Sequence, residues 1–168
     1  RYVDLIEEGF DLVFRVGDLD DSGLVARPLA PYELLLCAAP AYLNGQPPIR
    51  TPQDLAQHEC LGFFHADLRS QWTFEGPDGR LNVPVKGRLN VDSGESLLAL
   101  ALAGMGLLLQ PRELLAADLA AGRLVPVLPD FPVPTRPMHL LYAPDRRITP
   151  KVRSFIDFAL AAFGTPSN

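Results

Sequence analysis

Residues 92–96 read Asp-Ser-Gly-Glu-Ser and stand directly ahead of the apolar run LLALALAG. A helix opening there leaves its first amide hydrogens unpaired and its positive dipole end outward, so the turn can hold a carboxylate or a similar anion. Ser93 or Ser96 would add a hydroxyl, and Gly94 belongs to the same turn. The competing use is helix capping by Asp92 and Ser93: Asp92 and Glu95 stand three apart, a capping-box-like spacing, and Asp92 would itself repel an anion.

Three further places combine polar groups with the end of an apolar segment, where ligands of open α/β sheets sit. Arg15 interrupts LVFRV and is followed by Gly17 and Asp18. Its guanidinium suits bidentate pairing with a carboxylate effector, or equally a structural ion pair with Asp4, Asp11 or Asp18. Phe64 and His65 follow CLGF and could form a stacking and hydrogen-bonding wall, or a plain surface loop. Gln110, just before Pro111, offers both donor and acceptor to a ligand or to nearby backbone.

Other chemistry finds no support. There is no GxSxG elbow, no glycine-rich phosphate loop and no HExxH. His58, His65 and His139 lack metal-ligand spacing, and no cofactor is implied. Glu7 and Glu8 read as a solvated helix face, and Glu33 and Glu59 have no partner visible in the sequence. Cys37 and Cys60 lie in apolar settings, LLLCAAP and ECLGFF, and are too few for a disulfide framework; both are expected to be small buried side chains. An enzyme is therefore not expected.

The 168 residues, 48% apolar and 21% charged, suit a soluble globular chain of one domain or two small lobes. No apolar run reaches the roughly 18 residues of a membrane span, and the first residues are not a signal segment, so a cytoplasmic location is expected. The net charge of -5 argues against this chain itself gripping a phosphate backbone.

The elements that must position the candidate residues follow from periodicity and punctuation. Val3, Ile6 and Phe10 recur at helical spacing, giving a short helix over Val3 to Glu8 that Gly9 ends. Leu12 to Val16 is a nearly continuous apolar run, the pattern of a strand covered on both faces as in parallel α/β sheets. A strand over Leu34 to Ala38, a turn at Ala41 to Leu43, and a short helix opened by Thr51, Pro52 and Asp54 come next. Cys60 to Phe64 reads as a strand, and Trp72 to Phe74, GPDG and the alternating Leu81, Val83 and Val85 as a hairpin with Pro84 at an edge. The apolar helix after Asp92 has little polar face and must be well buried, with Gly104 and Gly106 closing it. LLLQP is another strand, Arg112 to Ala121 a helix ended by Gly122, and LVPVL and MHLLYAP are strands. Thr149 and Pro150 cap a last helix whose Val152, Phe155, Ile156, Ala159, Leu160 and Phe163 share one face. Alternating strands and helices define an α/β protein.

Eight segments in order carry a resemblance: VDLIEEGFDLVFRVG, LVARPLAP, LLCAAPAYL, TPQDLAQHECLGF, the GPDG hairpin, DSGESLLALALAGMGLLLQP, LAAGRLVPVLPDF and MHLLYAPDRRITPKVRSFIDF. Together they cover nearly the whole chain, and they resemble the effector-binding (substrate-binding) domain of LysR-type transcriptional regulators.

The resemblance implies a two-lobe, periplasmic-binding-protein-like (type 2) fold joined by two crossing strands, with an effector in the cleft. Lobe one would hold residues 1–33 and 145–168 and lobe two residues 34–144, with crossings near Leu29 to Leu35 and Leu140 to Ala143. It further implies a small polar or anionic effector contacted by Arg15, Gly17, Phe64, His65, Ser93, Gly94, Ser96 and Gln110. Homodimers or tetramers are implied, with DNA reached only through a winged helix-turn-helix domain outside this chain. Family members carry that domain, a linker helix and the first strand, helix and strand of lobe one before the point matching Arg1, so the first elements of lobe one are expected to be missing. The sheet around LVFRV would then expose an edge and an apolar face, favouring self-association or local disorder near residues 1–17. A stand-alone solute-binding protein is the alternative function; it would need an export signal.

Overall fold

The computed structural model describes residues 10–19, 23–63, 71–144 and 148–164. In chain order these form β1 (Val13–Val16), β2 (Val25–Tyr32), β3 (Leu34–Ala38), α1 (Pro40–Leu43), a 3-10 helix (Pro52–Gln57), β4 (Gly62–Phe63), β5 (Gln71–Gly76), β6 (Gly79–Pro84) and β7 (Asn90–Val91). There follow α2 (Gly94–Leu102), β8 (Leu108–Pro111), α3 (Arg112–Ala120), β9 (Val125–Pro126), β10 (Arg136–Tyr142) and α4 (Pro150–Phe163). The helix expected over Val3 to Glu8 lies outside the described residues.

Two compact units divide the chain: one runs to Tyr32 and resumes at Thr135, and the other spans Glu33–Pro134. The second boundary falls earlier than the expected 145. The reason is β10, which pairs with both β1 and β2 and so belongs with them.

In the first unit the strand order is β1-β10-β2, with both pairings antiparallel. This corrects the parallel, doubly covered setting expected for LVFRV. A continuous apolar run does not report strand direction, and here part of its apolarity goes to a half-open face: Phe14 is 45% exposed. The register between β10 and β2 shifts between Arg136 and Met138, around Pro137, which has no N–H to give to a ladder. Leu29, Leu140, Ile156 and Ala159 form the core of this unit, with Val152 and Leu160 packed against it. Thr149 caps α4, its hydroxyl accepting from the Val152 amide at 3.4 Å. Phe155 and Phe163, expected on the same face of α4, are exposed and stand edge-on to Phe14, with ring centroids 6.4 and 6.3 Å away.

The second unit is built on the antiparallel order β8-β3-β9. Cys37, Leu97, Ala101, Leu108, Leu115 and Leu124 bring that sheet, α2 and α3 into one core. Only part of α2 is buried, chiefly Leu97 and Ala101, so its all-apolar sequence overstated its burial. Two expected strands are shorter than read. Within the described part, Cys60 to Phe63, Cys60 makes an isolated parallel bridge to Leu107 and Gly62–Phe63 form a strand beside β7; of LVPVL, Val125–Pro126 form the strand. Ala41 to Leu43 is one turn of helix and not a plain turn. The expected hairpin β5–β6 forms, with Trp72 opposite Val83 and Phe74 opposite Leu81, and with Trp72 and Phe74 buried.

Residues 59–60 run flush between two glycines. A Cβ on Gly87 would lie 1.8 Å from the Cys60 carbonyl oxygen, and one on Gly106 2.6 Å from that of Glu59. The Cys60 amide donates to Lys86 and the Leu107 amide to Glu59, at 3.0 and 2.8 Å. These backbone bonds require the close approach that only glycine permits.

Candidate functional site

Four of the candidate residues meet at the start of α2. Ser93 is extended (φ -124, ψ 128) and its hydroxyl accepts from the Ser96 amide at 3.3 Å, while its carbonyl accepts from Leu97 at 3.0 Å. Ser93 is thus the N-cap; of the two capping residues expected, Asp92 and Ser93, it is Ser93 that takes the role. An Asx or Ser side chain caps only when its own backbone stands at the last extended position, and the chain turns helical one residue later than the Asp92–Glu95 spacing implied. The amides of Gly94 and Glu95 belong to the helix's first turn, where no intrahelical acceptor exists.

Gln110 reaches this turn from β8, where it pairs with Leu35 of β3. Its side chain is buried, and its Oε1 would stand 2.9 Å from a Cβ on Gly94, with Leu114 Cδ2 at 3.3 Å. Gly94 therefore makes room for the Gln110 carboxamide. The result is a small polar corner made of a capped helix start and a buried amide group, able to both accept and donate hydrogen bonds to a compact polar ligand.

Beside it, Arg112 opens α3 tied to Glu33: the amide donates to the Glu33 carbonyl at 3.0 Å, and Nε to its carboxylate at 3.0 Å. Glu59 likewise pairs with Arg88, which donates through both its amide and its Nε at 2.5 and 3.2 Å. Both glutamates thus have partners, contrary to the sequence reading. The partners are distant in the chain, and local spacing carries no sign of them.

Arg15 sits half-buried on β1 opposite His139, and Gly17 follows with φ 105, its amide donating to Pro137 at 2.9 Å. Both belong to the first unit. Phe64 and His65 lie outside the described residues.

Cys37 and Cys60 are free and buried. Burial pushes each thiol up to about 12, with Arg112 opposing the shift at Cys37 and Glu59 adding to it at Cys60. Among the described residues no group of His, Cys, Asp and Glu is arranged to hold a metal ion, and no helix is long and apolar enough to cross a membrane.

Each of the two units combines an antiparallel sheet with helix, and the second carries a polar corner where a strand end meets a helix start. The comparison with known families is specific: the LysR substrate binding domain matches residues 1–164, and the chain belongs to that family. It is 36% identical over 157 residues to the transcriptional regulator PtxR of Pseudomonas aeruginosa, covering 94% of this chain and 50% of PtxR. It is 32% identical over 164 residues to CrgA of Neisseria meningitidis, covering 97% of this chain and 54% of CrgA. The chain thus spans about half the length of these curated relatives.

Solved structures agree. The CrgA regulatory domain superposes with a TM-score of 0.81 at 33% identity, covering 96% of this chain and 79% of that one. Full-length AphB of Vibrio cholerae gives a TM-score of 0.82 at 30% identity, covering 96% of this chain and 54% of that one. The fold is the two-lobe, periplasmic-binding-protein-like type 2 fold of LysR regulatory domains.

Proposed function

We propose that this chain is the effector-sensing part of a LysR-type bacterial transcription regulator, and not an enzyme. It takes up a small polar or anionic metabolite, and promoter contact is made by a winged helix-turn-helix domain outside these residues, in homodimers or tetramers. Such a protein works where the DNA is, in the cytoplasm. The observation that carries the reading is the corner at α2, where the Ser93 cap, the amides of the first turn and the buried Gln110 carboxamide converge around Gly94. A carboxylate there would accept from the free amides while Gln110 donates through its NH2. Arg15 on β1, Gly17 just after it, and Phe64 and His65 are proposed as further effector contacts on the ground of the family resemblance and their residue types.

An effector acts only through the difference in its affinity for two arrangements of the regulator; moving a balance from 1:99 to 99:1 takes about 5.5 kcal/mol. The test is a thermal-shift screen of aromatic acids, amino acids and dicarboxylates against the wild type, Ser93→Ala and Gln110→Ala. At least one class should raise the melting temperature of the wild type and raise it less in both variants. Equal shifts in all three proteins would remove the α2 corner from the site.

A further inference from the structure

His58 ends the 3-10 helix and is only 6% exposed. Its Nδ1 lies 3.2 Å from the Tyr42 hydroxyl of α1, and that hydroxyl also accepts from the Glu59 amide at 2.9 Å. The hydroxyl's described partners are the Glu59 amide, which can only donate, and Nδ1, so the hydroxyl hydrogen is assigned to Nδ1. This assignment makes Nδ1 the acceptor and places the imidazole proton on Nε2. Nε2 is buried and has no hydrogen-bond partner among the described residues.

The groups facing this ring offer little to a second proton. Tyr42 is the titratable group from α1. Asp54, on the 3-10 helix itself, acts on His58 through space, but its Oδ2 is already taken by the amides of Arg50 and Thr51 at 2.9 and 2.8 Å. Glu59 turns its carboxylate to Arg88, and the Cys60 thiol lies 3.8 Å from the Leu55 carbonyl. A proton added at Nδ1 would therefore displace the Tyr42 hydroxyl hydrogen. The buried ring would then carry a charge with Nε2–H still unpaired, and the hydroxyl hydrogen would have lost its acceptor; each change is costly away from water.

We propose that His58 is an acid-operated latch: its neutral imidazole closes the Tyr42–Glu59 hydrogen-bond chain that fastens residues 58–60 between α1 and Leu107, and protonation opens it. Opening lets the imidazole reach water and loosens the backbone that follows, where Glu59 accepts from Leu107 and Leu61 donates to Leu107 at 2.8 and 2.9 Å. The direction follows from linkage. Burial holds the imidazole below its ordinary value, outweighing the opposing pull of Asp54. The stability that the neutral ring contributes is complete above the unfolded value of about 6.5, and is lost as pH falls from there through the lower folded value.

Amide hydrogen exchange at pH 7.5 and 5.5, corrected for intrinsic rate, tests the latch in wild type, His58→Gln and the control His139→Gln. In the wild type and the control, the opening of the Glu59 and Leu107 amides should rise at least tenfold in acid, while that of the β10 amides changes by less than twofold. His58→Gln should abolish the acid response. An unchanged opening in the wild type, or an equal response in His58→Gln, would overturn the proposal. Should His58→Gln fail to fold, the titration of the His58 ring protons in the wild type decides instead: a midpoint at or above the ordinary histidine value would overturn it.

Discussion

At the scale of single residues, the sequence located the polar groups but not their partners. Ser93, Gly94, Ser96 and Gln110 were legible because a serine-rich turn before an apolar run, and a glutamine at a strand end, are local patterns. Which of Asp92 and Ser93 takes the cap was not, since one residue's backbone angle decides it. The Glu33–Arg112 and Glu59–Arg88 pairs were also hidden, because folding alone brings their members together. The cysteines were readable from their apolar settings, and burial explains their chemistry: with thiols pushed up to about 12, almost no thiolate exists at neutral pH. A disulfide reagent added to the native protein at pH 7.5 should therefore label Cys37 and Cys60 only as fast as the protein opens, and at least a hundredfold faster in denaturant. Prompt labelling of either thiol in the folded state would contradict their enclosed environment.

Among elements, periodicity found most helices and strands, and failed where pairing rather than local pattern sets the ends. Thr149, Pro150 and the spacing of Val152, Ile156, Ala159 and Leu160 specify α4, yet Phe155 and Phe163 meet Phe14 on an open face, which apolarity alone does not reveal. β1 is antiparallel to β10, a fact that no run of apolar residues encodes. Gly106 was read as closing α2, but its main constraint comes from Glu59, whose carbonyl oxygen would lie 2.6 Å from an added Cβ. Gly106→Ala should cost about 3 kcal/mol, because the obstacle is backbone held in a hydrogen-bonded bridge and cannot move aside cheaply. Urea unfolding would measure it. A loss below about 0.5 kcal/mol would mean that residues 59–60 are held less tightly than their bonds to Lys86 and Leu107 indicate.

For the molecule as a whole, the order of eight segments made the family legible, since no single one of them is specific, and the two-lobe fold followed from it. β10 is tied to β1 and β2 by pairing, and its sequence does not announce those partners. The central claim is that the domain senses a small polar or anionic ligand at the start of α2. The most direct measurement is a backbone and side-chain amide NMR titration with the strongest stabilising compound from the thermal-shift screen. Saturable shifts should be largest at the amides of Gly94, Glu95 and Ser96 and at the Gln110 side-chain NH2, and should be lost in Gln110→Ala. Saturable binding that leaves these four groups unmoved would contradict the claim.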